Sequence, residues 1–166
     1  MTLGMSISTF TLVHVSLSLI GIITGFIVIL GMFGAKRMNG MTALFLLTTV
    51  LTSVTGFGFP NAHITPGIII GIISLVALAI AIVARYVGHL HGASRWIYVV
   101  TAVLAEYFNV FVLIAQGFRK VPALHSLAPT GTEPPFKIAH GLALLIFVVI
   151  GIFAVKKFHP GDERAA

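Results

Sequence analysis

The feature that most limits the fold is a succession of five long apolar runs that carry almost no charge. Each run is long enough to cross about 30 Å of hydrocarbon as a helix rising 1.5 Å per residue. Only 8% of the residues are charged, whereas soluble domains carry about 25%. We therefore predict one all-α domain over residues 1–166, an integral membrane bundle of five transmembrane helices at about 7–33, 41–59, 66–87, 96–118 and 136–155.

The basic residues predict how this bundle is oriented. Seven of them fall at one end of the predicted helices and three at the other. Cytoplasmic loops carry an excess of Lys and Arg, so the richer end is expected to be cytoplasmic. We predict a bacterial inner-membrane protein with its amino terminus outside and its carboxyl terminus inside. The two sets are Lys36, Arg37, Arg85, Arg95, Lys156, Lys157 and Arg164 against Arg119, Lys120 and Lys137.

The same charges indicate which partners to expect. A cationic rim favours the anionic lipids of a bilayer surface. No basic patch is interleaved with aromatic residues, so nucleic-acid binding is not expected. The lipid bilayer is the predicted partner, and a membrane protein partner or a homo-oligomer stays open.

Several kinds of active centre have no support in the sequence. The chain has no cysteine, which excludes disulfides, thiolate nucleophiles and iron–sulfur clusters. No G-x-S-x-G motif occurs, and the four acidic residues do not form a carboxylate pair. The sequence therefore argues against a hydrolase and, more broadly, against an enzyme.

Glu106 is the main candidate for a functional residue. It lies near the centre of the fourth apolar run, where a bilayer leaves a carboxyl group without water, and such residues are functional candidates by default. At 100° per residue it shares an arc of about 80° with four polar neighbours. Two interpretations stay open: an acid that only fixes helix packing, or a proton carrier or cation ligand. The neighbours are Arg95, Tyr98, Asn109 and Gln116.

The first helix supplies a face that could meet this stripe. His14, Gly21 and Gly25 share it, and Gly21-x-x-x-Gly25 is a spacing that lets helices approach closely. Counting depth along each helix, we predict an outward-opening polar pocket among the first, fourth and fifth helices. It would have Glu106 at its floor, Asn109 and Gln116 along its wall, His14 and His140 near its mouth, and His63 and His125 above it.

The histidines allow one cofactor hypothesis. His14 and His140 could bind a b-type haem from two facing helices, because imidazole suits iron. His89 and His91 form an i, i+2 pair that does not share a helical face, so a solvated loop is expected there, with no metal site. At the inner rim, Trp96, Tyr98 and Tyr86 are expected to act as aromatic-belt anchors.

Two runs carry a resemblance to a known group of proteins. The segments Thr55-Gly-Phe-Gly-Phe-Pro60 and Leu127–Phe136 resemble small, uncharacterised multi-pass inner-membrane proteins of bacteria. That resemblance implies a membrane bundle and assigns no substrate, cofactor or site residue. A looser likeness to cytochrome b561-type bundles rests on the histidines near helix ends. This chain places only His14 and His140 within predicted spans, whereas those proteins carry several paired histidines.

Three function classes follow from the sequence. The first is a non-enzymatic accessory or assembly subunit, which predicts a lipid-facing groove of small residues such as the Gly67–Gly71 face. The second is a redox subunit that binds haem or quinone through His14 and His140. The third is a proton or small-solute transporter that uses Glu106.

Overall fold

The computed structural model describes residues 4–60 and 64–161. It is all-helical, with 81% of its residues in helices. The six α-helices are α1 (Ile7–Phe33), α2 (Asn39–Gly56), α3 (Pro66–Ile82), α4 (Ala93–Lys120), α5 (Pro122–Leu127) and α6 (Pro134–Lys157), and a π-helical turn, Val83–Val87, continues α3.

Local sequence explains where several of these helices begin. The hydroxyl oxygen of Ser6 accepts a hydrogen bond from the Thr9 backbone N–H at 3.1 Å, which caps α1. Thr65 caps α3 in the same way, and Pro66 follows as the first helical residue. Pro122 and Pro134 begin α5 and α6. The predicted start of the third helix at residue 66 is therefore confirmed, whereas α6 begins at Pro134, two residues before the predicted 136.

Four helices form a ring, and a fifth packs on its outside. Each of α1, α2, α3 and α4 contacts the next, and α4 closes the ring against α1. Helix α6 packs against α4 and, to a lesser extent, α1. One end of the bundle carries Arg37, Arg85, Arg95, Lys156 and Lys157, and we call it the basic end. The opposite end, which carries α5 and the connection into α6, is the loop end.

The outside of the bundle is covered by large apolar side chains. On α6 the buried residues form a single narrow stripe of His140, Ala143, Phe147 and Ala154. The remaining faces expose residues such as Leu145 (61%) and Phe153 (54%). A surface of this kind needs an apolar solvent. By length and composition, α1, α3 with its π-helical turn, α4 and α6 could each cross a membrane.

Helix α2 differs from the other long helices. It has 18 residues, five of which are threonine, and it is not among the four helices that reach the length and apolarity of a membrane span. It nevertheless runs antiparallel beside α1 for most of that helix. A Cβ atom added to Gly21 would lie 3.1 Å from the Thr49 hydroxyl, and His14 hydrogen-bonds Thr55 nearer the loop end.

Candidate functional site

Glu106 lies at the midpoint of α4 and is completely buried, with 0% of its surface exposed. Its Oε2 accepts a hydrogen bond from the Asn109 amide at 3.2 Å, and its Oε1 has no hydrogen-bond partner. Among the described residues no cationic side chain pairs with the carboxyl group. Arg95, which shares its sequence stripe, instead donates to the backbone carbonyls of Val155 and Phe158 at 3.0 and 2.8 Å.

Glycines on α1 create the space around this carboxyl group. At Gly25 a Cβ atom would overlap Glu106 Oε2 and would lie 2.9 Å from the Phe45 ring. At Gly21 it would lie 3.1 and 3.3 Å from the hydroxyls of Thr49 and Thr48. The small-residue spacing predicted to allow close approach is therefore confirmed, and its close contacts are with polar groups of α2 and α4.

Asn109 connects the acid to α2. Its Nδ2 donates to Glu106 Oε2 at 3.2 Å and to the Thr49 hydroxyl oxygen, also at 3.2 Å. An amide nitrogen carries two protons, so both bonds can form together. Thr49 is fully buried and Asn109 only half-buried. Asn109 therefore stands between the enclosed carboxyl group and the less buried part of the bundle.

His14 faces protein, as its position on α1 predicted. Its Nδ1 lies 2.8 Å from the Thr55 hydroxyl oxygen. That hydroxyl also lies 2.7 Å from the Leu51 carbonyl oxygen. The hydrogen bond between His14 and Thr55 joins α1 to α2, and its direction depends on the tautomer of the imidazole. The ring packs edge-on against Phe59 with 5.1 Å between ring centroids.

Three threonine hydroxyl groups on α2 lie between the two ends of this site. Thr49, Thr52 and Thr55 recur every three residues, which spaces them about 4.5 Å apart along the helix axis. Thr49 bonds the Asn109 amide and Thr55 bonds His14. The hydroxyl of Thr52, between them, is buried without a hydrogen-bond partner. We call these residues the polar file: His14, Thr55, Thr52, Thr49, Asn109 and Glu106.

Toward the basic end, the surroundings of Glu106 change from polar to apolar. Phe45 and Leu46 of α2 and Val99 and Ala102 of α4 are all buried there, with 0–3% of their surfaces exposed. They belong to one continuous hydrophobic core. We call this set the apolar plug, and it lies on the opposite side of Glu106 from the polar file.

His140, on α6, packs against a different face of α4 from the one that carries Glu106. Its ring sits between Phe111 and Phe136, with centroid separations of 4.3 and 4.2 Å. Phe111 follows Glu106 by five positions, which is about 140° around the helix. The carboxyl group is enclosed by α1, α2 and α4, so the pocket expected among the first, fourth and fifth helices is not how these residues are arranged. The predicted grouping rested on the depth of each residue along its helix. Because α6 docks on another face of α4, His140 is separated from Glu106.

The two histidines do not fit a haem in this arrangement. His140 Nδ1 lies 2.9 Å from the Phe136 carbonyl oxygen, and Nε2 lies 3.3 Å from that of Phe111. Each ring nitrogen therefore already faces a carbonyl oxygen of the protein, and iron could approach His140 only if the ring turned away from one of them. His14 packs with α2, away from this cluster. A bis-histidine site would require both rings to leave their present partners.

The other predicted pocket residues lie apart from Glu106. Gln116 is half-buried on α4 and hydrogen-bonds none of the described residues. His125, on α5, places Nδ1 3.3 Å from the Phe118 carbonyl oxygen. His63 lies outside the described residues. Asn109 is thus the predicted partner that the structure brings to the acid, and Thr49 is the partner that sequence reasoning missed.

A second polar cluster at the basic end was also missed. Arg85, only 6% exposed, donates to the Arg37 carbonyl at 2.8 Å and to Asn39 Oδ1 at 2.7 Å. Its guanidinium lies 5.1 Å from the centroid of the Tyr98 ring. Tyr98 is 1% exposed, so its predicted role as an aromatic-belt anchor is wrong, because the cation of Arg85 holds the ring inside. Trp96 is 47% exposed, and its role as an anchor stays a prediction.

The comparisons with known proteins provide no relative. No family model matches this chain, and no curated protein or solved structure is significantly similar to it. What the site does must therefore be argued from its own geometry.

Proposed function

We propose that this chain is a multi-pass membrane protein in which Glu106 takes up and releases a proton through the polar file. The observation that carries the proposal is the state of the carboxyl group: it is fully buried, and among the described residues one of its oxygens has no partner and no cation pairs with it. An isolated ionised carboxylate costs several kcal/mol to enclose in an apolar interior. Ionising Glu106 therefore needs a route that moves the proton away.

The polar file lines that route from one side only. Asn109 donates to both of its neighbours and cannot itself accept a proton, so water held by the amide and hydroxyl groups of the file would carry the proton. The hydrogen bonds of the file join Glu106 to Asn109, Asn109 to Thr49, and Thr55 to His14. The Thr52 hydroxyl lies between the two bonded groups with its hydrogen-bonding capacity unused. Histidine is the side chain whose charge ordinarily changes near neutral pH, which suits it to pass protons at the outer end of such a file. The apolar plug closes the other direction.

The proposal includes five membrane crossings, with α2 as the fifth crossing helix. The support is its antiparallel register against α1, in which residue numbers on α2 fall as those on α1 rise. The contacting pairs are Gly21 with Thr49, Gly25 with Phe45, and His14 with Thr55. From His14 to Gly25 this pairing covers about 16 Å of the apolar depth of α1. A helix paired in this way lies at the same depth as its neighbour, and its threonine hydroxyls turn toward the bundle.

Five crossings put the two termini on opposite sides of the membrane. The basic end carries Lys36, Arg37, Lys156 and Lys157, which by the positive-inside rule makes it cytoplasmic. The polar file then opens to the outside. We propose the bacterial inner membrane as the location, with the amino terminus and His14 toward the periplasm.

Two other function classes have less support in the geometry. The accessory-subunit class expected a lipid-facing groove at Gly67–Gly71, yet the Phe57 ring packs against Gly71, where an added Cβ would lie 3.3 Å from it. The redox class expected His14 and His140 to face each other, and the two rings have separate partners. Neither class explains why an acid is enclosed at the middle of α4.

The experiment that tests the function is proton flux in vesicles. The purified full-length protein is reconstituted with a pH-sensitive dye inside, and the external pH is stepped under a clamped potential. We expect wild-type flux above that of protein-free vesicles, flux at the protein-free level for Glu106→Gln, and severalfold slower flux for Thr55→Val. Thr101→Val is the matched control, because Thr101 bonds only carbonyls of its own helix.

Three results would overturn the proposal. They are wild-type flux no faster than protein-free vesicles, undiminished flux in Glu106→Gln, and equal losses in Thr55→Val and Thr101→Val. Circular dichroism and gel filtration show whether each variant keeps the helical content and size of the wild type. Glutamine retains the shape of the side chain and removes only the titrating group.

A further inference from the structure

An apolar groove runs between α4 and α6 on the outside of the bundle, on a different face of α4 from Glu106. Its volume is about 450 Å³, within the range of small-molecule sites. It is open to the surroundings, since Leu144 and Ile152 on its wall are 49% and 51% exposed. Residues along its walls include Val100, Leu104 and Tyr107 of α4 and Leu144, Val148 and Ile152 of α6.

One end of the groove is cationic. Lys156 lines it at the basic end. The guanidinium of Arg95 lies beside that position, because its NH1 donates at 3.0 Å to the carbonyl oxygen of Val155, which also lines the groove. On α6 the wall from Val148 to Leu144 has only apolar side chains, and on α4 it includes the Tyr107 side chain with its hydroxyl group. The groove therefore pairs a charged end with an apolar body.

Trp96 shows the depth at which that charged end lies. It precedes Val100 by four positions, which places it on the same face of α4, and it is 47% exposed. Exposed tryptophan side chains concentrate at the membrane–water boundary. From Leu144 to Lys156 the groove wall on α6 extends about 18 Å away from that boundary. The charged end is thus at headgroup level, and the apolar body is at the depth of the acyl chains.

We propose that this groove is a binding site for an anionic phospholipid of the leaflet at the basic end. An acyl chain lies between α4 and α6, and the phosphate of the headgroup lies against Lys156 and Arg95. A lipid fits this groove better than a partner helix does, because the groove places a cationic end at headgroup depth and an apolar body at acyl-chain depth. A zwitterionic lipid also carries a phosphate, but the two cations would repel its ammonium group.

The only tryptophan in the chain makes this site directly observable. The full-length protein is reconstituted in phosphatidylcholine vesicles that contain a fixed fraction of bromolipid, either phosphatidylglycerol or phosphatidylcholine, brominated near the headgroup. Bromine quenches indole fluorescence on contact. We expect brominated phosphatidylglycerol to associate with the Trp96 site about fivefold more strongly, the preference that one nearby lysine confers.

Paired variants separate this site from general attraction to an anionic surface. Lys156→Gln is expected to remove most of the preference, with the remainder due to Arg95. Lys157→Gln is expected to keep the preference, because Lys157 lines a different depression with Phe33 and Phe153. Gly151→Leu fills the groove and should also remove it, whereas Gly141→Leu adds the same side chain where nothing lies within 4 Å.

Two outcomes overturn the inference. The first is equal quenching by the two bromolipids in the wild-type protein. The second is an equal loss of preference in Lys156→Gln and Lys157→Gln, which would assign the effect to net charge. If Gly151→Leu does not fold, the comparison of Lys156→Gln with Lys157→Gln still tests the inference, because both lysine side chains are exposed.

Discussion

Gly25 on α1 lies directly against the carboxyl group of Glu106 on α4, so closely that a methyl group at position 25 would overlap Oε2. Gly25→Ala should therefore displace the acid or separate α1 from α4. Overpacking of this kind costs about 1–3 kcal/mol of unfolding free energy. The loss is measured by titrating the protein from mild detergent into a denaturing detergent and following helicity.

Two further variants test the reason for that loss. Gly141→Ala is the control, because its added methyl meets no atom within 4 Å. In the double variant Gly25→Ala/Glu106→Ala the shortened side chain removes the clash with Oε2, so part of the loss should be recovered. Strictly additive losses would show that Gly25 and Glu106 do not make the contact described.

Arg85 stabilises the connection between α1 and α2. That connection contains two non-glycine residues with positive φ, Ala35 and Met38 at 53° and 46°, and Arg85 donates to the carbonyl of Arg37 between them. Hydrogen bonds from charged groups contribute about 1.5–3 kcal/mol each. We expect Arg85→Ala to lower the unfolding free energy by about 3 kcal/mol in the same detergent titration.

The control for this effect is Lys36→Ala in the same connection. Lys36 is exposed, so its removal should change the unfolding free energy by less than about 0.5 kcal/mol. Equal losses in the two variants would indicate a general effect of removing positive charge from the basic end. That result would contradict the role of the Arg85 hydrogen bonds in stabilising this connection.

Glu133 stabilises the loop that leads into α6. Desolvation acts to raise its pKa, and hydrogen bonds from Thr130 and Thr132 outweigh it and lower the pKa to about 2 from an ordinary 4.5. Because the folded pKa is the lower one, the carboxylate stabilises the loop fully above pH 4.5 and loses that effect as the pH falls to about 2. An NMR titration of the Glu133 carboxyl carbon measures this directly.

Thr130→Val provides the check on that prediction. It removes the hydroxyl that donates to Glu133 Oε1 at 2.8 Å and keeps a side chain of similar shape. The pKa of Glu133 should rise toward 4.5 in this variant. A midpoint near 4.5 in the wild-type protein would show that the loop does not hold the carboxylate as described.

The helices were largely predictable from the sequence, because long apolar runs and capping residues are local signals. The predicted first helix, residues 7–33, matches α1, and α6 extends the predicted 136–155 by two residues at each end. Helix α2 ends at Gly56, three residues before the predicted end. There Phe59 turns inward to pack against Phe10, at 5.0 Å between ring centroids, which periodicity along one helix does not show.

The burial of Glu106 beside Asn109 was also predictable, since both lie on one arc of α4 and its other faces are apolar. The position of His140 was not. Helix α6 is apolar nearly all round, so no stripe in its sequence indicates which face docks, and only His140, Ala143, Phe147 and Ala154 prove to be buried. The depth of a residue along its own helix does not indicate which side of α4 that residue contacts.

The contacts of Thr49 and Arg85 depend on relations between helices. Thr49 is one of five threonines on α2, and its sequence does not indicate which one meets Asn109. Arg85 looked like part of a solvated cationic rim, whereas the π-helical turn at Val83–Val87 carries it inward. Both contacts join residues of different helices, so they depend on how the helices pack.

The most direct test of the account is an infrared titration of Glu106 itself. Full-length protein in vesicles is taken through a series of external pH values, and the carbonyl stretch of a protonated carboxyl group is followed in wild type and Glu106→Gln. The account predicts a band that changes with external pH and is absent from Glu106→Gln. A Glu106 band that stays constant across the whole pH series would show a fixed packing residue and contradict proton exchange through the polar file.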